Sequence, residues 1–285
     1  MGNVWNFIPF QKNQKSIYSF LIFGVGFSSI MLLIKPVSKR LAIYYDSLQQ
    51  ESKVKNRPKR IILIRHGQSM GNAQDVIYGE MPDNKIPLTE KGKAQACDAG
   101  LFLKNYIGNE ETIKFYISPF RRTKETLDCI KKNFDEKNYK SIEDPRLREQ
   151  EWGNLQDPKQ LQKIENERDH VGKFYYRFPT GESGADVYDR VSLFLTTLFR
   201  EIDHESNTLR YEKCHYDNIV IVSHGLFIRL FLMRYFKWTV EQFEELENPS
   251  NAGVIILEKN SRGKYETQGP LIKKLKKMKI KTEEI

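Results

Sequence analysis

Three short apolar runs, each followed at once by residues able to carry chemistry, constrain this chain more than any other feature. Ile61-Ile62-Leu63-Ile64, Lys114-Phe115-Tyr116-Ile117 and Asn218-Ile219-Val220-Ile221-Val222 are too short for core helices and too continuous for strands with one wet face. They predict strands buried on both faces, and Val254-Ile255-Ile256-Leu257 is a fourth. Helical periodicity lies between them: Thr89 can cap a helix through about Tyr106, and further helices are expected over about 122–134, 185–202 and 226–236. Strands alternating with helices predict an α/β fold of three layers, a mostly parallel sheet with helices on both faces. Ligands of such sheets bind beyond the strand C-termini. There the chain places His66 after one strand and His224 after another, each followed by a glycine that would let the backbone approach a ligand.

Composition narrows the partners. The net charge of +9 suggests nucleic acid until its distribution is examined. Residues 1–60 hold ten Lys/Arg against two acidic residues, and residues 261–285 hold eight against three. Removing these surpluses of +8 and +5 leaves about −4 for residues 61–260, so the basic excess lies in the flanks. A nucleic-acid grip is expected on the folded face instead, so none is predicted. Cys97, Cys129 and Cys214 are odd in number and far apart in sequence, which fits a reduced compartment better than a disulfide framework or a zinc site.

From Ser16 to Ile34 the chain carries no charge for 19 residues between Lys15 and Lys35. That is about the length of a membrane-spanning helix. A cleavable signal peptide, a buried core helix or an interfacial anchor would share the composition, but Lys35-Pro36-Val37-Ser38 follows where a small-residue cleavage site would be needed. The expected organisation is an N-terminal membrane-anchor segment over 1–45 (hydrophobic 16–34), a linker over 46–58, a catalytic domain over 59–260 and a basic tail over 261–285. The basic residues Lys35, Lys39, Arg40 and Lys53 after the segment place the domain in the cytosol, on a single-pass membrane protein; a soluble cytoplasmic protein is the alternative.

Four motifs carry the chemistry. They are Arg65-His66-Gly67-Gln68-Ser69, Ser118-Pro119-Phe120-Arg121-Arg122-Thr123, Leu147-Arg148-Glu149-Gln150-Glu151-Trp152-Gly153 and Ser223-His224-Gly225. Taken singly the first three read as a structural histidine, a solvated basic turn and an exposed charged loop, and the fourth is weak by itself. Their order and shared position near strand ends argue against coincidence. Together they resemble the histidine phosphatase superfamily, the phosphoglycerate-mutase-like fold, over about residues 59–258. Phrases such as Ile86-Pro87-Leu88-Thr89-Glu90-Lys91-Gly92 and Phe178-Pro179-Thr180-Gly181-Glu182-Ser183 resemble a eukaryotic phosphoglycerate-mutase-like subgroup that is phosphatase-like.

The resemblance implies a small phosphorylated substrate and gives each motif a role. His66 attacks phosphorus as a neutral imidazole, held through its other nitrogen. Arg65 and Arg122 offer planar forks to the equatorial oxygens, and His224 is a further donor, most useful when protonated. Glu149 is the proton donor, its pKa raised beside bound phosphate. No metal and no cofactor are called for, because the cations are built into the protein. Counting Ser-x-x-x-Arg from Ser118 selects Arg122 and leaves Arg121 at the surface. Gln68 and Asn72 match the family's Arg-His-Gly-x-x-x-x-Asn run and are expected on the substrate side, with Gly225. Arg177 either reaches the remainder of the substrate or is solvated. Gly181-Glu182-Ser183 is expected to cap the helix near Gly184 and support the pocket.

Two other functions use the same pocket: a phosphoglycerate mutase-type phosphotransferase, and a catalytically inactive module that binds a phospho-ligand. The mutases of the family carry a paired-Arg segment between the acid and the second histidine, and it is absent between Glu149 and His224. All residues that hydrolysis requires are present, which favours a phosphatase over an inactive module.

Overall fold

The computed structural model describes residues 44, 54, 56–74, 77–153, 158–207 and 216–268, nearly all within the compact unit Lys53–Ile285. Six strands, β1 (Arg60–Arg65), β2 (Ile113–Ile117), β3 (Tyr139–Glu143), β4 (Asn218–Ser223), β5 (Val254–Lys259) and β6 (Tyr265–Gln268), form one sheet in the order β3-β2-β4-β1-β5-β6. The first four are parallel, while β5 runs antiparallel to β1 and β6 antiparallel to β5. The sheet is therefore mixed. A short turn joins β5 to β6, in which the Asn260 side chain accepts from the amides of Arg262 and Lys264 and Gly263 adopts φ +76°. A hairpin of this kind needs no crossover helix, so alternation of strands and helices does not announce it.

The register decides the geometry of everything that follows. β1 and β4 are central neighbours, with Ile64 opposite Val222 and Arg65 opposite Ser223. Two residues far apart in sequence, His66 and His224, consequently leave the sheet side by side.

Eight helices lie among the described residues: α1 (Met70–Ala73), α2 (Ile77–Glu80), α3 (Glu90–Tyr106), α4 (Arg121–Lys131), α5 (Pro158–Val171), α6 (Gly184–Asn207), α7 (Gly225–Phe236) and α8 (Val240–Glu244). Thr89 caps α3 as expected, its hydroxyl accepting from the Gly92 amide at 3.0 Å. The strands distribute their side chains between two cores. Ile62, Ile64, Phe115, Val220 and Val222 pack with Leu103 of α3 and Leu127 and Ile130 of α4. Ile61, Leu63, Ile219 and Ile221 pack with Val191, Phe194 and Leu198 of α6 and Phe227 and Phe231 of α7. Both faces are covered, so the central strands read as unbroken apolar runs. Each fully buried Phe or Leu contributes about 2 kcal/mol of burial.

The chain exceeds the sequence expectation in two strands and four helices. β3 reads Tyr-Lys-Ser-Ile-Glu at the sheet edge, with exposed positions, and has no continuous apolar run. β6 reads Tyr-Glu-Thr-Gln and lies in the segment expected to be the basic tail. Residues 16–34, the expected membrane span, and the Lys-rich stretch 273–281 lie outside the described residues. Among the described residues, no helix is long and apolar enough to cross a membrane.

Candidate active site

At the C-terminal ends of β1 and β4 the buried imidazoles of His66 and His224 stand with ring centroids 5.2 Å apart, in an edge-on arrangement. The Nδ1 of His66 lies 2.7 Å from the carbonyl oxygen of Gly67. A carbonyl can only accept, so this nitrogen carries the proton and Nε2 keeps its lone pair. Burial, reinforced by the Arg122 and Arg65 guanidiniums, holds the imidazole pKa well below its ordinary value. His66 is thus a neutral imidazole of fixed tautomer. His224 is held low by the same causes, burial first and then Arg122. This departs from the expectation that it serves best protonated: the site without ligand favours the neutral ring. Its Nε2 meets the Ser118 hydroxyl at 2.8 Å, and its Nδ1 has no partner among the described residues.

α4 delivers the second guanidinium. Its first turn follows β2, and the Ser118-to-Arg122 spacing carries Arg122 back over the strand end, where its guanidinium lies 4.8 Å above the Phe120 ring. Phe120 in turn meets His224 edge-on at 5.1 Å. Arg122 is buried and engages Asp83. Arg121 points away to Glu125, as expected for a surface residue. Arg65 donates to the Pro249 carbonyl at 2.6 Å and leaves Nε without a partner among the described residues.

The carboxyl expected to act as the acid comes from a loop. Glu149 follows the short turn Pro145–Leu147, and its carboxylate accepts from the Gln150 amide at 3.0 Å. Burial raises its pKa, against the opposing pull of the Gln150 amide and of Arg122 and Arg65, so this carboxyl holds its proton to higher pH than an ordinary carboxylate already in the absence of phosphate. Arg190 of α6 holds this loop, donating to the carbonyls of Arg146, Arg148 and Glu149 at 2.7, 2.8 and 3.1 Å. Glu182 closes the clamp by accepting from Arg190, Arg148 and the Glu151 amide. The Ser223 hydroxyl donates to the Leu147 carbonyl at 2.7 Å, tying the loop to the end of β4. Ser183 caps α6 as expected, in a reciprocal pair with Asp186. Arg190 was not singled out in the sequence; its signal was a lone charge on the apolar face of a predicted helix.

Arg65, His66, Asn72, Arg122 and Glu149 line one cavity of about 840 Å³. His224 is fully buried in edge-on contact with the His66 ring, next to the residues that line the cavity. Two expected binding positions lie elsewhere. Gln68 turns to α3, its side-chain oxygen accepting from the Thr89 hydroxyl at 3.0 Å. Gly225 faces protein: a Cβ there would meet the Asn248 side chain at 2.8 Å. Gly67 is likewise required by protein packing, since a Cβ would lie 2.2 Å from the carbonyl oxygen of Gly92. The glycines that follow both histidines therefore bring chain against chain. Arg177 pairs with Asp186 and is largely exposed. The cavity is also lined by Trp152 of the Glu149 motif and by Tyr78, Glu165, Arg168, Lys173 and Arg229, which belong to no motif.

A neutral imidazole, two guanidiniums and a carboxyl of raised pKa border one cavity, an arrangement suited to phosphoryl transfer. The family model for the histidine phosphatase superfamily (branch 1) matches residues 61–268. The chain belongs to that superfamily and is an enzyme of the phosphoric monoester hydrolase type. Phosphoglycerate mutase-like protein AT74 of Arabidopsis thaliana is 46% identical over 214 residues, spanning 73% of this chain and 67% of that protein. The broad-range acid phosphatase DET1 of Saccharomyces cerevisiae is 32% identical over 291 residues, spanning 71% of this chain and 86% of that protein. Among solved structures, mycobacterial glucosyl-3-phosphoglycerate phosphatase matches with a TM-score of 0.55 at 21% identity, over 74% of this chain and 96% of that one. At that identity the likeness is one of fold.

Proposed function

We propose that this enzyme hydrolyses a small phosphomonoester without a metal ion, through a phosphohistidine on Nε2 of His66. The observation that carries the reading is the bond from His66 Nδ1 to the Gly67 carbonyl, because it leaves a lone pair on a ring held neutral by its surroundings. In the first step the Nε2–P bond forms and the P–O ester bond breaks, while Glu149 gives its proton to the leaving oxygen. In the second, water attacks phosphorus, Glu149 takes the water's proton, and the N–P bond returns its electron pair to His66. Arg65, Arg122 and His224 receive the phosphoryl oxygens; the unpartnered Nδ1 of His224 is a donor position that a phosphate oxygen would satisfy. Lines of support from relatives are the name of the yeast enzyme, an acid phosphatase, and the absence here of the paired-Arg segment of mutases. On the sequence alone, residues 16–34 would hold the domain at a membrane.

His66→Ala should abolish phosphate release from p-nitrophenyl phosphate, a loss of roughly 10⁴-fold or more. It should also remove acid-labile, base-stable phospholabelling. Robust interconversion of phosphoglycerates by the wild type would instead make the protein a mutase. A wild type with neither turnover nor labelling would leave only a binding module.

A further inference from the structure

Arg122 presents its fork to a carboxylate of the chain itself. Its Nη1 donates to Asp83 Oδ1 at 2.8 Å and to the Asp83 carbonyl at 2.7 Å, and its Nη2 lies 3.3 Å from Asp83 Oδ2. Two carboxylate oxygens on two guanidinium nitrogens is the arrangement in which the same fork would take two phosphate oxygens. The two partners differ in freedom. The Arg122 side chain is 5% exposed and lies over Phe120, whereas that of Asp83 is 37% exposed, in the short turn Asp83–Lys85. Both line the cavity that holds His66. A dianion entering this cavity meets the Arg122 fork already occupied, by a carboxylate whose charge repels it.

We propose that Asp83 is a built-in competitor for Arg122. The phosphoryl group of substrate displaces the Asp83 carboxylate on entry, and the carboxylate reclaims the fork once phospho-His66 has been hydrolysed, driving inorganic phosphate out. Asp83 thereby weakens binding of every phosphate species by a similar factor, whatever the leaving group, and keeps the product from blocking the site. The inference rests on the phosphatase reading above, since it takes Arg122 as a phosphate ligand. It makes Asp83 a determinant of affinity that takes no part in bond breaking. A structural role predicts the opposite sign, because an Asp83 that merely held Arg122 in place would strengthen phosphate binding.

The test is calorimetric titration of inorganic phosphate and orthovanadate into the full-length protein, as wild type, Asp83→Asn and Asp83→Ala. Asp83→Asn is nearly isosteric and keeps the backbone bond from Arg122, and thermal melts report whether each variant is folded. The competitor role predicts that the phosphate Kd falls roughly tenfold in both variants, a change of about 1.4 kcal/mol. KM for p-nitrophenyl phosphate should fall in parallel. A Kd that stays the same or rises in folded variants overturns the inference while leaving the phosphatase reading intact. If neither anion binds to any of the three proteins, the phosphatase reading itself fails, and the competitor with it.

Discussion

The two sides of the cavity are positioned by different means. Arg65, His66 and His224 stand at or just past the ends of adjacent parallel strands, so the backbone ladder that pairs Arg65 with Ser223 sets their separation. Glu149 stands on a loop without a ladder. A buried guanidinium, Arg190, gathers three of that loop's carbonyls, and Glu182 balances its charge. His66 is thus placed by many weak, redundant contacts and Glu149 by a few strong ones. A single substitution should therefore dislodge the acid more readily than the nucleophile.

The largest expected effect of breaking the acid side comes from removing its proton. Glu149→Gln should lower kcat/KM for an alkyl phosphate by about 10²- to 10⁴-fold, and for p-nitrophenyl phosphate far less, because nitrophenolate leaves without assistance. In the wild type the alkaline limb of the pH profile should fall above the ordinary carboxylate range, since the Glu149 pKa is raised and activity is lost as pH passes through it. Equal losses on both substrates would assign Glu149 to a role other than proton donation.

Next in size is the clamp. Arg190→Lys keeps a charge but cannot reach three carbonyls, so kcat for an alkyl phosphate should fall between about 10- and 100-fold with KM little changed. The alkaline limb should move as the environment of Glu149 loosens. If the variant is folded and kcat and pH profile are both unaltered, Arg190 is structural only and the contrast between the two sides dissolves.

The strand side has its own signature in stability. His66 and His224 have pKa values depressed in the folded state, so the unfolded chain binds their protons first as pH falls. Their contribution is complete above about pH 6.5 and is lost as pH drops toward the folded values. Glu149, raised in the fold, has the opposite sign: its contribution is complete below about pH 4.5 and lost as pH rises through its folded value. Between pH 7 and 5 the Tm should decline, and His224→Gln should flatten the slope. Equal slopes in thermal melts of the two proteins would contradict neutral burial of that ring. At the bottom of the scale, Arg121→Ala and Arg177→Ala remove exposed pairs with Glu125 and Asp186. They should change kcat/KM on p-nitrophenyl phosphate by less than about twofold. A larger loss from Arg177 would return it to the substrate side.

What was legible in the sequence followed from periodicity and from chemistry that tolerates few substitutes. Apolar runs of four or five residues mark strands covered on both sides, and a histidine or arginine just past such a run can face the strand-end crevice. That sufficed for the central strands, the capped helix at Thr89, and the grouping of Arg65, His66, Arg122, Glu149 and His224 around one place. β3 and β6 escaped because edge strands need no apolar run, and the packing of Gln68 on Thr89 and of Gly225 on Asn248 escaped because a motif records that a residue is needed without saying which surface needs it. Only the tertiary structure brought Cys97 and Cys129, distant in sequence, into mutual influence across α3 and α4, where burial and the neighbouring thiol push Cys129 up to about 11. It alone revealed Arg190 behind the acid loop and Asp83 on the fork of Arg122. Contacts of that kind depend on register and on the path of loops, and such long-range geometry is set by the packing of the whole core, which no local pattern encodes.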